Sequence, residues 1–160
     1  MPRWLEDDAP MLDDIDRTIL DVLREDARAS VNAIAQRLSI SRANAYARIR
    51  RLSDSGVLLG YTIRTDAVLE GFHSSAYVAL SVEQAEWQAI RAGLIALPEV
   101  EHVALVGGEF DVLALVRARD NRDLRRIVLH AIQSMPGVRS TRTYLVFEDF
   151  DAHHGGGRQA

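Results

Sequence analysis

Six arginines and no acidic residue lie between Arg28 and Ser53, and an arginine can grip a phosphate or the edge of a guanine with two parallel hydrogen bonds. The stretch before it, Met1 to Ala27, carries nine acidic residues against Arg3, Arg17 and Arg24. The whole chain has a formal net charge of −4, so the basic window departs from its surroundings. A positive surface in a negative chain points to a polyanion, and double-stranded DNA is the first partner to consider. The chain has no lysine, so all of its permanent positive side-chain charge is guanidinium.

No other chemistry assembles. His73, His102, His130, His153 and His154 lack metal-ligand spacing, and there is no cysteine for a thiolate site or a disulfide. No nucleophile motif, phosphate loop or dinucleotide fingerprint is present. Glu109 and Asp111 stand two apart in a turn, which reads as a solvated loop rather than an acid–base pair. An enzyme, a metal and a bound cofactor are therefore not expected. No apolar run approaches the roughly 18 residues of a membrane span, and the acidic N-terminus is no secretory signal. A cytoplasmic, nucleoid-associated location is expected, with no membrane partner.

The arginines must be positioned by helices. Leu12-Asp13-Asp14-Ile15-Asp16 opens a first helix, with Asp13 or Asp14 as cap and Ile15, Ile19, Val22 and Leu23 on one face. Ser30 caps a second, with Val31, Ile34, Ala35 and Leu38 inward; Ser39-Ile40 is the turn, and Ser41 caps a third helix running to Ser53. On that third helix Ala45, Ile49 and Leu52 face the first two, while Ala43, Asn44, Ala47, Arg50 and Arg51 fall opposite. This is helix–turn–helix spacing, in which the start of the last helix meets base edges. Ser41, Arg42, Ala43 and Asn44 occupy that start: Arg42 can read guanine and Asn44 adenine. Tyr46, Arg48, Arg50 and Arg51 lie toward the flanks and the far end, where phosphate contact is expected. Asp54-Ser55-Gly56 stops the helix, Gly56 suiting a left-handed cap. Val57 to Arg64 reads as an extended strand leaving the domain.

After His73 the period changes from helical to alternating. Strand, helix, strand, strand, helix and strand follow in order, and Leu97-Pro98-Glu99-Val100 and Met135-Pro136-Gly137-Val138 repeat one phrase after each helix. That is a duplicated split βαβ unit, the ferredoxin-like arrangement with both helices on one face of an antiparallel sheet. The other face then needs a partner, and a second subunit is expected there.

Taken together these motifs resemble the Lrp/AsnC (feast/famine) transcription regulators. The resemblance rests on Leu12-Asp13-x-x-Asp16-Arg17-x-Ile19-Leu20, Leu38-Ser39-Ile40-Ser41, Arg48-Ile49-Arg50-Arg51-Leu52, Gly56-Val57-x-x-Gly60-Tyr61, Gly107-x-x-Phe110-Asp111 and the two proline phrases. It implies homodimers built through the sheets and assembled further, up to octamers. It implies a small effector, usually an amino acid, between subunits near Gly107, Gly108, Glu109, Phe110 and Asp111. Asp111 would accept the effector's ammonium, and amides near Gly107 and Gly108 would meet its carboxylate. From the residues alone the same loop is also a plain hairpin turn, with Asp111 satisfying its amides. Two positions depart from the pattern. Ala47 stands where many relatives have arginine, and Glu109 adds a carboxylate to the loop.

The expected fold class is α+β: a helix–turn–helix (winged-helix-like) domain over 12–64, a linker over 65–73, a ferredoxin-like βαββαβ domain over 74–150 and a flexible tail over 151–160. The expected function is sequence-specific regulation of transcription on a palindromic operator, responsive to a small effector. The alternative is an architectural, effector-independent DNA-binding protein of the same fold.

Overall fold

The computed structural model describes residues 11–149, so the tail expected over 151–160 lies outside it. The chain divides into two compact units after Arg64.

The first unit is built of α1 (Asp14–Glu25), α2 (Val31–Arg37) and α3 (Arg42–Asp54). Each helix begins at a side-chain cap. The Asp13 carboxylate accepts from the Asp16 amide (2.8 Å), and the Asp16 carboxylate accepts in return from the Asp13 amide (3.2 Å). Such a reciprocal box satisfies two donors that the helix itself leaves unpaired. Ser30 and Ser41 accept from the amides of Ala33 and Asn44, each at 3.1 Å. The turn between α2 and α3 passes through Ser39 at φ 54°, a left-handed conformation that costs a residue with a Cβ about 1–2 kcal/mol. It brings the Ile40 amide to the Ala35 carbonyl at 3.0 Å. Ile19, Leu20, Val22, Leu23, Ile34 and Leu52 form the core, with Leu12, Ile15, Leu38 and Ile49 packed around it.

Gly56, at φ 67°, turns the chain out of α3 and lets the Leu58 amide close on the Leu52 carbonyl at 2.9 Å. The strand expected over Val57 to Arg64 does not form: among the described residues this unit has no strand. Leu59, Tyr61 and Ile63 alternate as a strand would but stand exposed, because no neighbouring segment offers them a ladder. Within the expected linker, Asp66 Oδ1 accepts from the Val68 and Leu69 amides, and the Phe72 amide donates to the Ala67 carbonyl. Residues 66–72 thus form an ordered turn.

The second unit contains β1 (Ser74–Val82), α4 (Trp87–Ala96), β2 (Val100–Leu105), β3 (Val112–Ala118), α5 (Asn121–Arg126) and β4 (Val138–Val146). Its sheet runs β2-β3-β1-β4, antiparallel throughout, which is the order a split βαβ repeat produces. Past Arg126, α5 continues as a π-helical stretch, Ile127–Ile132. Even-numbered residues of β1 and β3 (Ala76, Val78, Leu80, Val112, Ala114, Val116) pack against Ile90, Leu94, Leu124, Ile127 and Ile132 from the helices. The opposite face carries Tyr77, which pairs in register with Tyr144 on β4 and Leu115 on β3. Both tyrosines are exposed, at 37% and 46%.

The second proline phrase ends in a close approach. At Gly137 (φ 85°) the carbonyl accepts from the Glu83 amide at 2.8 Å, and a Cβ would meet Glu86 Cβ at 2.5 Å. Only glycine fits where β4 enters beneath α4.

Candidate nucleic-acid interface and effector loop

The first turn of α3 is open to solvent. Ser41, Arg42, Ala43 and Asn44 are all exposed, with the Ser41 hydroxyl engaged as the cap. Arg42 makes no ion pair among the described residues, so its donors face outward unclaimed. Further along, Tyr46 is 59% exposed, and Arg50 is loosely paired with Asp54 at 3.6 Å. Tyr46, Ala47, Arg50, Arg51, Asp54 and Ser55 line an open hollow of about 690 Å³.

Arg48 is placed differently from its expected phosphate role. Its Nη1 lies 2.8 Å from Oδ1 of Asp16 and 2.7 Å from Oδ2 of Asp13, while its Nε donates to Asn44 Oδ1 at 3.0 Å. Only 20% of the side chain is exposed. Asp16 itself is fully buried, and its other oxygen accepts from Arg51 Nη2. A buried carboxylate is tolerated only when paired and hydrogen-bonded, and here two arginines and an amide supply that. The result is a clamp that ties the N-terminus of α1 to the middle of α3. It fixes the angle at which the exposed first turn of α3 is presented. The Asp16 amide, and next the Arg48 guanidinium, hold the Asp13 carboxyl below its ordinary range. Asp13 and then Asp16 raise Arg48 further above its already high value, so it stays charged. Sequence reasoning found Asp13 and Asp16 only as helix-start residues; their partners lie 32 to 35 positions away, beyond any local spacing signal.

The loop 107–111 joins β2 to β3. Gly107, Gly108 and Glu109 are exposed, and Phe110 is half-buried. Asp111 is tied to β1: its amide donates to the Leu80 carbonyl (3.0 Å), and its Oδ2 accepts from the Val82 amide (2.8 Å). The carboxylate therefore does satisfy an amide, but one on a neighbouring strand rather than in the hairpin. Its Oδ1 has no partner among the described residues. Arg142, on β4, was not among the expected residues. Its guanidinium stacks over the Phe110 ring, 5.1 Å from the centroid, and pairs with Glu109 at 3.1 Å. The Tyr144 hydroxyl, then the Glu109 charge, raise its pKa. Arg142 thus pins the loop's tip to the far strand of the sheet, and it places Glu109 in an ion pair.

Comparison with known proteins agrees with this division. Residues 12–58 match a winged helix-turn-helix DNA-binding model, and residues 75–154 match the Lrp/AsnC ligand-binding domain. The HTH-type transcriptional regulator AldR of Mycolicibacterium smegmatis is 34% identical over 140 residues, 86% of this chain and 82% of the relative. The leucine response regulatory protein LrpA of Mycobacterium tuberculosis superposes with a TM-score of 0.78 at 32% identity, covering 89% of this chain and 97% of that one. A transcriptional regulator of Neisseria meningitidis, solved as its L-Met complex, shares the fold with a TM-score of 0.82 at 23% identity, covering 88% and 93%. A helix–turn–helix unit followed by a ligand-binding unit in one chain defines a DNA-binding transcriptional regulator that takes a small molecule. The chain belongs to the Lrp/AsnC family, a family of regulators and not of enzymes. Among the described residues no helix is long and apolar enough to cross a membrane.

Proposed function

We propose that the chain reads a specific, roughly palindromic operator through α3 and responds to an amino acid bound between subunits. The observation that carries the reading is the exposed turn Ser41–Asn44 above a buried carboxylate clamp. Arg42 and Asn44 meet base edges, with Ala43 leaving room for close approach and Ser41 beside the first phosphate. Tyr46, Arg50 and the exposed part of Arg51 hold the backbone. Arg48 acts through position: it holds α3 against α1. Two copies in a dimer place their α3 helices about one DNA turn, ~34 Å, or a multiple apart. The helix-free sheet face, with Tyr77, Tyr144 and Leu115, is the surface a second copy would cover. Further assembly up to an octamer follows the same family pattern.

The effector reading is supported by the ligand-binding domain match and by the regulator from Neisseria meningitidis that holds L-Met. The exposed amides of Gly107 and Gly108 would take the effector carboxylate, and Asp111 Oδ1 the ammonium. Glu109 and Phe110, held by Arg142, would border the side chain. A thermal-shift screen with the twenty amino acids tests this half. A shift with one of them, lost in Asp111→Asn, is expected; no shift with any would remove the amino-acid effector. A gel-shift competition tests the other half. Comparable affinity for a promoter fragment and for scrambled DNA would favour the architectural reading instead.

A further inference from the structure

The side-chain amide of Asn44 is held in one orientation. Arg48 lies four residues further along α3, so the two side chains are neighbours on the helix, and Arg48 Nε donates to Asn44 Oδ1 at 3.0 Å. A guanidinium has donors only, so the amide atom facing it is the oxygen, and the Nδ2 group is left for another partner. Nδ2 has none among the described residues, and Asn44 is exposed.

The other end of Arg48 is anchored. Its Nη1 donates to both oxygens of Asp13, at 2.9 and 2.7 Å, and to Oδ1 of Asp16 at 2.8 Å. Asp16 is fully buried. Moving Arg48 away to release Asn44 would withdraw a counter-ion from that buried carboxylate, which is strongly unfavourable. Rotating the Asn44 amide instead would set its NH2 against the Nε–H, donor against donor. The clamp between α1 and α3 thus decides which end of the amide is offered outward.

The side chains beside it add no acceptor. Arg42 presents a guanidinium, Ala43 carries no polar side-chain atom, and the Ser41 oxygen already accepts from the Asn44 backbone amide at 3.1 Å. In the major groove guanine offers two acceptors, N7 and O6, which suit an NH2 group. Adenine offers N7 beside an amino donor, and asparagine reads it by presenting oxygen and NH2 side by side. Here the oxygen is turned to Arg48.

We propose that Arg48 is a specificity-determining positioning residue: by holding the Asn44 oxygen it makes Asn44 a donor alone and directs it to guanine, in place of the adenine that an unheld asparagine would read. The inference rests on the reading in which the first turn of α3 meets base edges.

Selection from a random duplex library by the parent and by Asn44→Ala first locates the operator position that depends on Asn44. Titrations then place each of the four bases, and 7-deazaguanine, at that position. The parent is expected to prefer guanine to adenine by about tenfold or more and to bind 7-deazaguanine several-fold more weakly than guanine. Arg48→Lys keeps a cation beside Asp16 but lacks the Nε–H. It should bring adenine level with guanine there and leave the preferences at other positions unchanged. A side chain that only braces the fold would weaken all sequences alike and shift no base. Asn44→Asp leaves the clamp untouched and replaces the outward NH2 with an oxygen. It should move the preference from guanine to cytosine, whose N4 is a donor. Any base but guanine preferred by the parent at that position would overturn the proposal. So would a guanine preference that Arg48→Lys or Asn44→Asp leaves unaltered. A motif in which Asn44→Ala changes no position would instead remove the underlying reading of Asn44, and the proposal with it.

Discussion

Single residues divide here into those proposed to read bases and those that hold the fold. Arg42 and Asn44 stand exposed in the first turn of α3, so changing either to Ala should cost about 1–3 kcal/mol of discrimination at one base pair per half-site while leaving the fold intact. Binding titrations against single-base operator variants measure it. Asp16 holds. It is fully buried between Arg48 and Arg51, and breaking a buried pair from one side costs on the order of 3–5 kcal/mol because the charge left behind has no counter-ion. Both arginines are partly exposed, so Asp16→Ala should fall near the lower end, ~3 kcal/mol, in urea unfolding of the full chain. Asp13 adds a pH dependence. Its folded carboxyl titrates lower than the ordinary ~3.9, so the stability it contributes is present above that value and is lost as pH falls through its folded pKa. Asp13→Asn should flatten the stability profile below about pH 4 and lower stability above it. None of these holding roles was legible in the sequence. A cap at Asp13 or Asp14 was visible because capping is local, but the return bond from Asp16 and the guanidiniums that complete the clamp were not; the latter come from the far side of the helix–turn–helix. For the same reason Arg48 looked like one more phosphate ligand.

At the level of elements, periodicity carried most of the information. The three capped helices, the strand–helix–strand repeat and the turn at Gly107-Gly108 appear where apolar spacing and cap residues place them, since each is set by local chemistry. Val57 to Arg64 had the alternation of a strand but no partner strand within its unit, and alternation alone forms no ladder. The π-helical stretch after α5 and the tie from Asp111 to Val82 depend on tertiary contacts and left no sequence signal. Two turn positions give sharp expectations. Gly137→Ala places a Cβ about one ångström inside its allowed distance from Glu86 and should destabilise the second unit by about 2–3 kcal/mol, read from its thermal transition. Ser39→Val, at φ 54°, should cost more than 1 kcal/mol, whereas Ser39→Gly should be neutral or stabilising.

For the whole molecule, one chain joins a helix–turn–helix DNA-binding unit to a ligand-binding unit whose sheet has one covered and one open face. If a second copy covers that face, Tyr77→Glu together with Tyr144→Glu should reduce the assembly mass in light scattering and weaken operator binding, because paired α3 helices would be lost. On the proposed function α3 reads sequence through its first turn, and selection from a random duplex library by the full-length protein measures that reading. Parent protein should enrich one roughly palindromic motif with half-sites about one helical turn, or a multiple, apart, and Arg42→Ala should lose preference at one position in each half-site. Enrichment of no motif, or an identical motif from Arg42→Ala, would contradict it.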